Sequence, residues 1–143
     1  ILNPAPARKI DKENFKLIDF FTPNETEAEF YLNKNIKTES DIKNAGQELL
    51  KKGVKNVIIT LGEKGVYFAN KEEDFFLNAF KLKKPVLDTT GAGDAFNGAL
   101  TVSLASNLDI KEALIFANKI AGISTTKLGA AASMPFTKDL VNY

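Results

Sequence analysis

A capped amphipathic helix followed by a short β-branched run constrains the fold of this chain most strongly. Thr38, with Asp41 three positions on, forms a capping-box start, and Gly53 is a natural C-terminal stop. The apolar residues between them fall on one helix face: Ile42, Ala45, Leu49 and Leu50. The run at 57–61, Val-Ile-Ile-Thr-Leu, is typical of a parallel strand covered on both faces. This succession predicts an α/β fold.

Helix and strand patterns alternate along the rest of the chain. Strands are predicted at 19–22, 66–68, 74–80 and near 86–87, and helices at 26–32, from 93 to about 106 and from 109 to about 120. Repeats, low-complexity tracts and Gly/Ser linkers are absent from the sequence. We therefore expect a mostly parallel sheet with helices on both faces.

The composition excludes several kinds of chemistry and partner. The 143 residues include no Cys and no His, so acid–base catalysis falls to Asp, Glu, Lys or Tyr. A net charge of +1 gives no reason to expect nucleic acid or an acidic membrane as a partner. The sequence has no apolar run near the ~20 residues of a membrane span and no secretion signal at its start, so we expect a cytoplasmic protein.

A Gly-rich segment, Asp-Thr-Thr-Gly-Ala-Gly-Asp at 88–94, stands directly before a predicted helix. Its small residues let backbone N–H groups converge on one point, where the helix N-terminus adds partial positive charge. Such a point suits phosphate oxygens or the charge that develops during phosphoryl transfer. From the glycine spacing alone, a simple loop with Asp94 as helix N-cap is the preferred interpretation. A dinucleotide fingerprint fails at Phe96, and a GxxxxGK[ST] loop is absent.

Residues 88–100, Asp-Thr-Thr-Gly-Ala-Gly-Asp-Ala-Phe-Asn-Gly-Ala-Leu, resemble the C-terminal signature of the ribokinase-like family of carbohydrate kinases. Two further family motifs precede it in the expected order: Asn-x-x-Glu at 24–27 and a strand ending in Thr-Leu-Gly at 60–62. The resemblance spans essentially residues 1–143, which correspond to the nucleotide-binding C-terminal portion of a family member. It implies that the N-terminal sugar-binding half and its lid lie outside this sequence.

The resemblance implies ATP-dependent phosphorylation of a sugar hydroxyl, with ribose converted to ribose 5-phosphate as the leading expectation. In this interpretation Asp94 is the general base that accepts the proton of the attacking hydroxyl. The backbone amides of Gly91, Ala92 and Gly93 form the anion hole. Phosphoryl transfer depends mainly on positioning and charge stabilisation, which such a segment can supply.

The resemblance also implies nucleotide and cation ligands. Asn24 would contact the nucleotide phosphates, and Glu27 would help to organise Mg²⁺ with its waters, which fits the oxygen ligands that Mg²⁺ prefers. The nucleotide would further contact the loop formed by Thr60, Leu61, Gly62, Glu63, Lys64 and Gly65, and also Asn118. A K⁺ site would take its oxygen ligands from Asp88, Thr90, Ser124, Lys127, Gly129 and Ser133.

Alternatives from other classes stay open. A related family kinase for fructose, a nucleoside or a vitamin alcohol would carry the same motifs, because the residues that select the acceptor lie in the half outside this sequence. A non-catalytic nucleotide- or sugar-sensing module would keep the fold, although retention of Asp94 beside both glycines argues against it. We also expect the whole protein to be a homodimer, since many family members dimerise through the lid, and the isolated 143 residues to be inactive.

Overall fold

The computed structural model describes residues 1–142 of the chain. They form two compact units, of which the first is Ile1–Asn78 and the second begins at Ala79. The first unit contains the strands and two helices, namely β1 (Phe20–Phe21), α1 (Glu25–Leu32), α2 (Glu39–Lys51), β2 (Asn56–Thr60), β3 (Val66–Ala69) and β4 (Asp74–Leu77). The second contains α3 (Ala92–Ala105) and α4 (Ile110–Ser124). Short 3-10 helices lie at Lys12–Leu17, Gly62–Lys64, Ala131–Ser133 and Thr137–Asn142.

The sheet has the order β1-β2-β3-β4 and mixed strand directions. β1 pairs with β2 in parallel, and an isolated parallel bridge joins Leu2 to Phe21. β3 is antiparallel to both β2 and β4, because short turns at 61–65 and 70–73 return the chain at once, whereas a parallel partner needs a long crossover. The α/β class is confirmed. The mostly parallel pairing expected from the sequence is found, among the described strands, only between β1 and β2.

Helix α2 begins and packs as the sequence predicts. The Thr38 hydroxyl accepts the Asp41 N–H, and the Asp41 carboxylate accepts the Thr38 N–H, which completes the capping box. The apolar face of α2 joins residues of β1, β2 and β3 in one hydrophobic cluster that includes Ile42, Leu49, Phe21, Val57, Ile59 and Tyr67. Full burial of a Leu or Ile side chain is worth about 1.5–3 kcal/mol, so this packing holds α2 against β2 and β3.

The segment at 85–88 differs from its prediction, because no strand forms at Val86 and Leu87. The backbone N–H groups of Leu87 and Asp88 both donate to the Thr125 carbonyl, at 2.8 and 3.2 Å. Pro85, directly before them, has no N–H to offer a strand ladder. The segment is therefore tied to the end of α4.

Helix α3 begins at Ala92, with Gly91 as its N-cap. Gly91 has φ 80° and ψ 0°, a left-handed conformation that glycine adopts without a steric penalty. Asp94 therefore occupies the third helical position, and the interpretation of Asp94 as the N-cap is wrong. α3 packs against α4 through buried residues that include Phe96, Leu100 and Leu114. Each helix in the described part of the chain is too short or too polar to cross a membrane.

Candidate functional site

At the start of α3 the backbone N–H groups of Gly91, Gly93 and Asp94 have no acceptor among residues 1–142. The Ala92 N–H is engaged, because it donates to the Thr89 carbonyl at 3.1 Å. A Cβ built on Gly93 would meet no heavy atom within 4 Å, so the space beside it is open. Unsatisfied donors at a helix N-terminus attract an anion, and the exposed carboxylate of Asp94 lies in the same helical turn.

Asp88 ties the start of this turn to a segment far along the chain. Its Oδ1 accepts the Thr90 N–H and its Oδ2 accepts the Gly129 N–H, both at 2.9 Å. Hydrogen bonds from the Thr90 side chain, and then from the Thr90 and Gly129 N–H groups, lower the pKa of Asp88 because they favour the ionised form. The carboxylate is therefore charged at neutral pH.

The turn also packs directly against the segment after Gly129. A Cβ on Gly91 would lie 3.1 Å from Ala130 Cβ and 3.2 Å from Met134 Cε. The structure therefore brings together Asp88, Thr90 and Gly129 among the predicted K⁺ ligands. Ser133 lies beside Met134 in the same segment, and Ser124 and Lys127 lie on the chain that leads into it.

The hydroxyls and carbonyls of this segment are ordered by local hydrogen bonds. Ser124 and Ser133 are almost fully buried and donate to the carbonyls of Ala121 and Ala130. No group of three or more Asp, Glu, His or Cys that could hold a metal occurs within residues 1–142. A cation here would depend on one carboxylate with backbone and hydroxyl oxygens, and this all-oxygen set fits an alkali cation better than a transition metal.

Two predicted nucleotide motifs are neighbours in the first unit. Asn24 and Glu27 form a capping box on α1, in which Asn24 Oδ1 accepts the Glu27 N–H and Glu27 Oε2 accepts the Asn24 N–H, both at 2.8 Å. Asn24 forms a parallel bridge with Thr60, whose N–H donates to the Pro23 carbonyl at 3.0 Å. Both motifs thus follow the carboxyl ends of the parallel strands β1 and β2, where α/β sheets bind ligands.

The loop at 61–65 is a closed turn with a glycine near each end. The Leu61 N–H donates to the Gly65 carbonyl at 2.8 Å, while Gly62 and Gly65 have φ of 57° and 102°. Lys64 Nζ lies 4.0 Å from Glu25 Oε1, which links the loop to α1. Gly62, Glu63 and Lys64 are exposed, and Leu61 is buried. Asn118, the remaining predicted nucleotide ligand, is half-buried on α4 in the second unit.

Three groups near the turn were not predicted from the sequence: the N–H of Asp94, the Thr125 carbonyl and the side chain of Asn97. Asn97 Nδ2 donates to the Gly93 carbonyl at 2.9 Å. Backbone groups leave no signal in a sequence. Asn97 does leave one, because an Asn in the first turns of a helix often bonds a nearby carbonyl.

Comparisons with known proteins agree on one family. A model of the pfkB family of carbohydrate kinases matches residues 1–137. A ribokinase of Staphylococcus aureus is 39% identical over 141 residues, 98% of this chain and 46% of that protein. A deoxyribokinase of Salmonella typhi is 35% identical over 144 residues, 100% of this chain and 46% of that protein. The structure of Arabidopsis thaliana ribokinase complexed with ribose and ATP gives a TM-score of 0.87 at 33% identity, covering 93% of this chain and 43% of that one. The chain thus spans a little under half the length of these proteins.

Proposed function

Because this chain belongs to the pfkB family of carbohydrate kinases, we propose that the whole protein transfers the γ-phosphate of ATP to a primary hydroxyl of ribose, giving ribose 5-phosphate. The observation that carries the proposal is the turn before α3, where three N–H donors and the carboxylate of Asp94 share one helix terminus. The ribose and ATP of the Arabidopsis structure support the choice of substrates.

The N–H groups of Gly91, Gly93 and Asp94 donate to the oxygens of the phosphoryl group in transfer. Charge spreads over these oxygens in the transition state, and donors already fixed in place stabilise it without reorganisation. The helix terminus adds its partial positive charge at the same point. The Ala92 N–H already donates to the Thr89 carbonyl, so it could reach the phosphoryl oxygens only through a bifurcated hydrogen bond. Its part in the anion hole stays a prediction.

Asp94 acts as the general base. Its carboxylate accepts the proton of the sugar hydroxyl as that oxygen bonds to the γ-phosphorus, while the bond from the γ-phosphorus to its bridging oxygen breaks and ADP leaves. The Asp94 carboxylate and the N–H groups that would bind the phosphoryl oxygens belong to one helical turn. The distance between the base and these donors is therefore fixed. Such fixed positioning is the main protein contribution to phosphoryl transfer.

The nucleotide and cation roles complete the proposal. Asn24 would contact the nucleotide phosphates, and Glu27, whose carboxylate accepts the Asn24 N–H, would help to hold Mg²⁺ with its waters. The Thr60–Gly65 loop and Asn118 hold the rest of the nucleotide. When bound, Mg²⁺ and K⁺ would supply positive charge that stabilises the phosphate oxygens. For K⁺, Asp88 holds the Gly129 segment in place.

Deoxyribose is the second candidate acceptor, because the Salmonella typhi deoxyribokinase aligns over 100% of this chain at 35% identity. The residues of the acceptor pocket lie outside this sequence in the proposal, so the motifs within residues 1–143 fit a kinase for either sugar.

We expect the whole protein to work in the cytoplasm as a homodimer.

An acceptor panel tests the proposal. The whole protein is given ATP and Mg²⁺ with ribose, deoxyribose, fructose, adenosine or pyridoxal, and ADP release and the phosphorylated product are measured. We expect ribose-dependent ADP release and ribose 5-phosphate, and no turnover by residues 1–143 alone. If another acceptor is phosphorylated faster than ribose, that compound is the substrate and the choice of ribose is wrong. A folded protein that binds ATP but phosphorylates nothing would instead be a sensing module.

A further inference from the structure

A side-chain hydrogen bond reinforces the first turn of α3. Asn97 Nδ2 donates to the Gly93 carbonyl at 2.9 Å. In an α-helix the same carbonyl accepts the backbone N–H of residue 97, four positions on. Asn97 thus holds the Gly93 carbonyl with a second donor, from its side chain.

The Gly93 carbonyl and the Asp94 N–H belong to one planar peptide group and point in opposite directions. Fixing the carbonyl therefore fixes the direction of the N–H. That N–H has no acceptor among residues 1–142, and it is one of the three donors of the proposed anion hole. Gly93 needs such support, because glycine holds a helical conformation less firmly than any residue with a side chain except proline.

We propose that Asn97 is a positioning residue, whose side-chain amide holds the Gly93–Asp94 peptide group so that the Asp94 N–H faces the phosphoryl group in transfer. The inference rests on the proposed kinase function and assigns Asn97 no contact with substrate. The helix contains a matched bond for comparison: Thr101 Oγ1 donates to the Asn97 carbonyl at 2.7 Å, one turn farther from the anion hole.

Three variants of the whole protein test this role. In Asn97→Ala we expect kcat to fall about 3- to 10-fold, the scale of one net hydrogen bond, with KM for ATP within about twofold of wild type. Alanine is the better helix former, so the melting temperature should not fall. Asn97→Ser should restore kcat to within about twofold, because a serine hydroxyl can bond the carbonyl four residues earlier. Thr101→Ala, the matched control, should leave kcat unchanged.

A second measurement does not depend on activity. By NMR, exchange of the backbone amides of Ala95 and residue 97 should be several-fold faster in Asn97→Ala, normal in Asn97→Ser and unchanged in Thr101→Ala. Wild-type exchange in Asn97→Ala, no rescue by serine, or an equal loss in Thr101→Ala would overturn the inference. If the wild-type protein phosphorylates no sugar, the proposed function fails on its own, and amide exchange still decides whether Asn97 orders this turn.

Discussion

The carboxylate of Asp88 accepts the backbone N–H of Gly129 at 2.9 Å, across 41 positions of sequence. Its other oxygen accepts the Thr90 N–H at the same distance. One side chain thus joins the start of the turn proposed to bind an anion to the segment that carries the predicted K⁺ ligands. An ionised carboxylate therefore links the two segments.

The first prediction concerns acid stability. The pKa of Asp88 is lowered in the folded protein, so its bonds contribute stability that is fully present above the ordinary value of 3.8 and is lost as the pH falls through the lowered pKa. Asp88→Asn should be less stable than wild type at pH 6, and the difference should shrink toward pH 2. Urea midpoints of the two proteins across this range measure it. A difference that does not change with pH would mean that the charge of Asp88 contributes nothing.

The second prediction concerns Gly91→Ala. Alanine would be strained at φ 80°, and its Cβ would lie 3.1 Å from that of Ala130. We expect a loss of about 1–2 kcal/mol from the backbone alone, and a fall in turnover of at least about tenfold because the anion hole is displaced. The double variant with Ala130→Gly should recover part of the stability by relieving the contact. Wild-type melting and turnover in the single variant would show that Gly91 does not need its left-handed conformation.

The third prediction separates binding from folding at Gly93. A Cβ there meets nothing in the protein, so Gly93→Ala should stabilise α3 by about 0.5–1 kcal/mol. The same methyl group would enter the space proposed for phosphate, so turnover should fall. Gly98→Ala is the control, because Gly98 lies in the same helix with equally open surroundings. It should gain stability without losing turnover. Full activity of Gly93→Ala would mean that no ligand approaches Gly93 closely.

The fourth prediction concerns Tyr67, which is fully buried on β3. Its hydroxyl makes no hydrogen bond of good geometry within residues 1–142, although the side chains of Gln47 and Asp74 lie near it. Burial, and then the charge of Asp74, raise the pKa of Tyr67 to about 12. The Tyr67 hydroxyl therefore loses its proton at a lower pH in the unfolded chain than in the folded protein. The free energy of unfolding of wild type falls as the pH rises from about 10 to about 12.

Tyr67→Phe should lack this alkaline loss and should be at least as stable as wild type at pH 7, because it removes an unpaired buried hydroxyl. Denaturation curves at pH 7 and across pH 9–12 measure both effects. A destabilisation above about 1 kcal/mol at pH 7 would show that the hydroxyl has a hydrogen bond in solution.

Much of the secondary structure of the first unit could be predicted from local sequence patterns. The cap of α2 and its apolar face follow from Thr38, Asp41 and Leu49, because capping and helical periodicity are set by residues a few positions apart. The strand predicted at Val86 and Leu87 failed, because its donors bond the Thr125 carbonyl, which lies too far along the chain for any local pattern to indicate.

The candidate site was less accessible to sequence reasoning. The approach of Asp88 to Gly129 depends on tertiary structure, and only the family resemblance placed the two residues in one predicted site. Asp94 was expected as an N-cap because Asp favours that position. The left-handed conformation of Gly91 moves the helix start upstream and leaves Asp94 as the third helical residue.

Asp94→Asn in the whole protein tests the central claim most directly. Asparagine keeps the size of the side chain but cannot accept the proton, so turnover should fall at least ~10²-fold. ATP binding should be nearly intact, and the loss of a negative charge at the helix start should cost only about 0.3–1 kcal/mol. Steady-state kinetics, ATP titration and melting curves on the paired proteins measure all three. Near-wild-type turnover with unchanged melting would contradict the account and remove Asp94 from the mechanism.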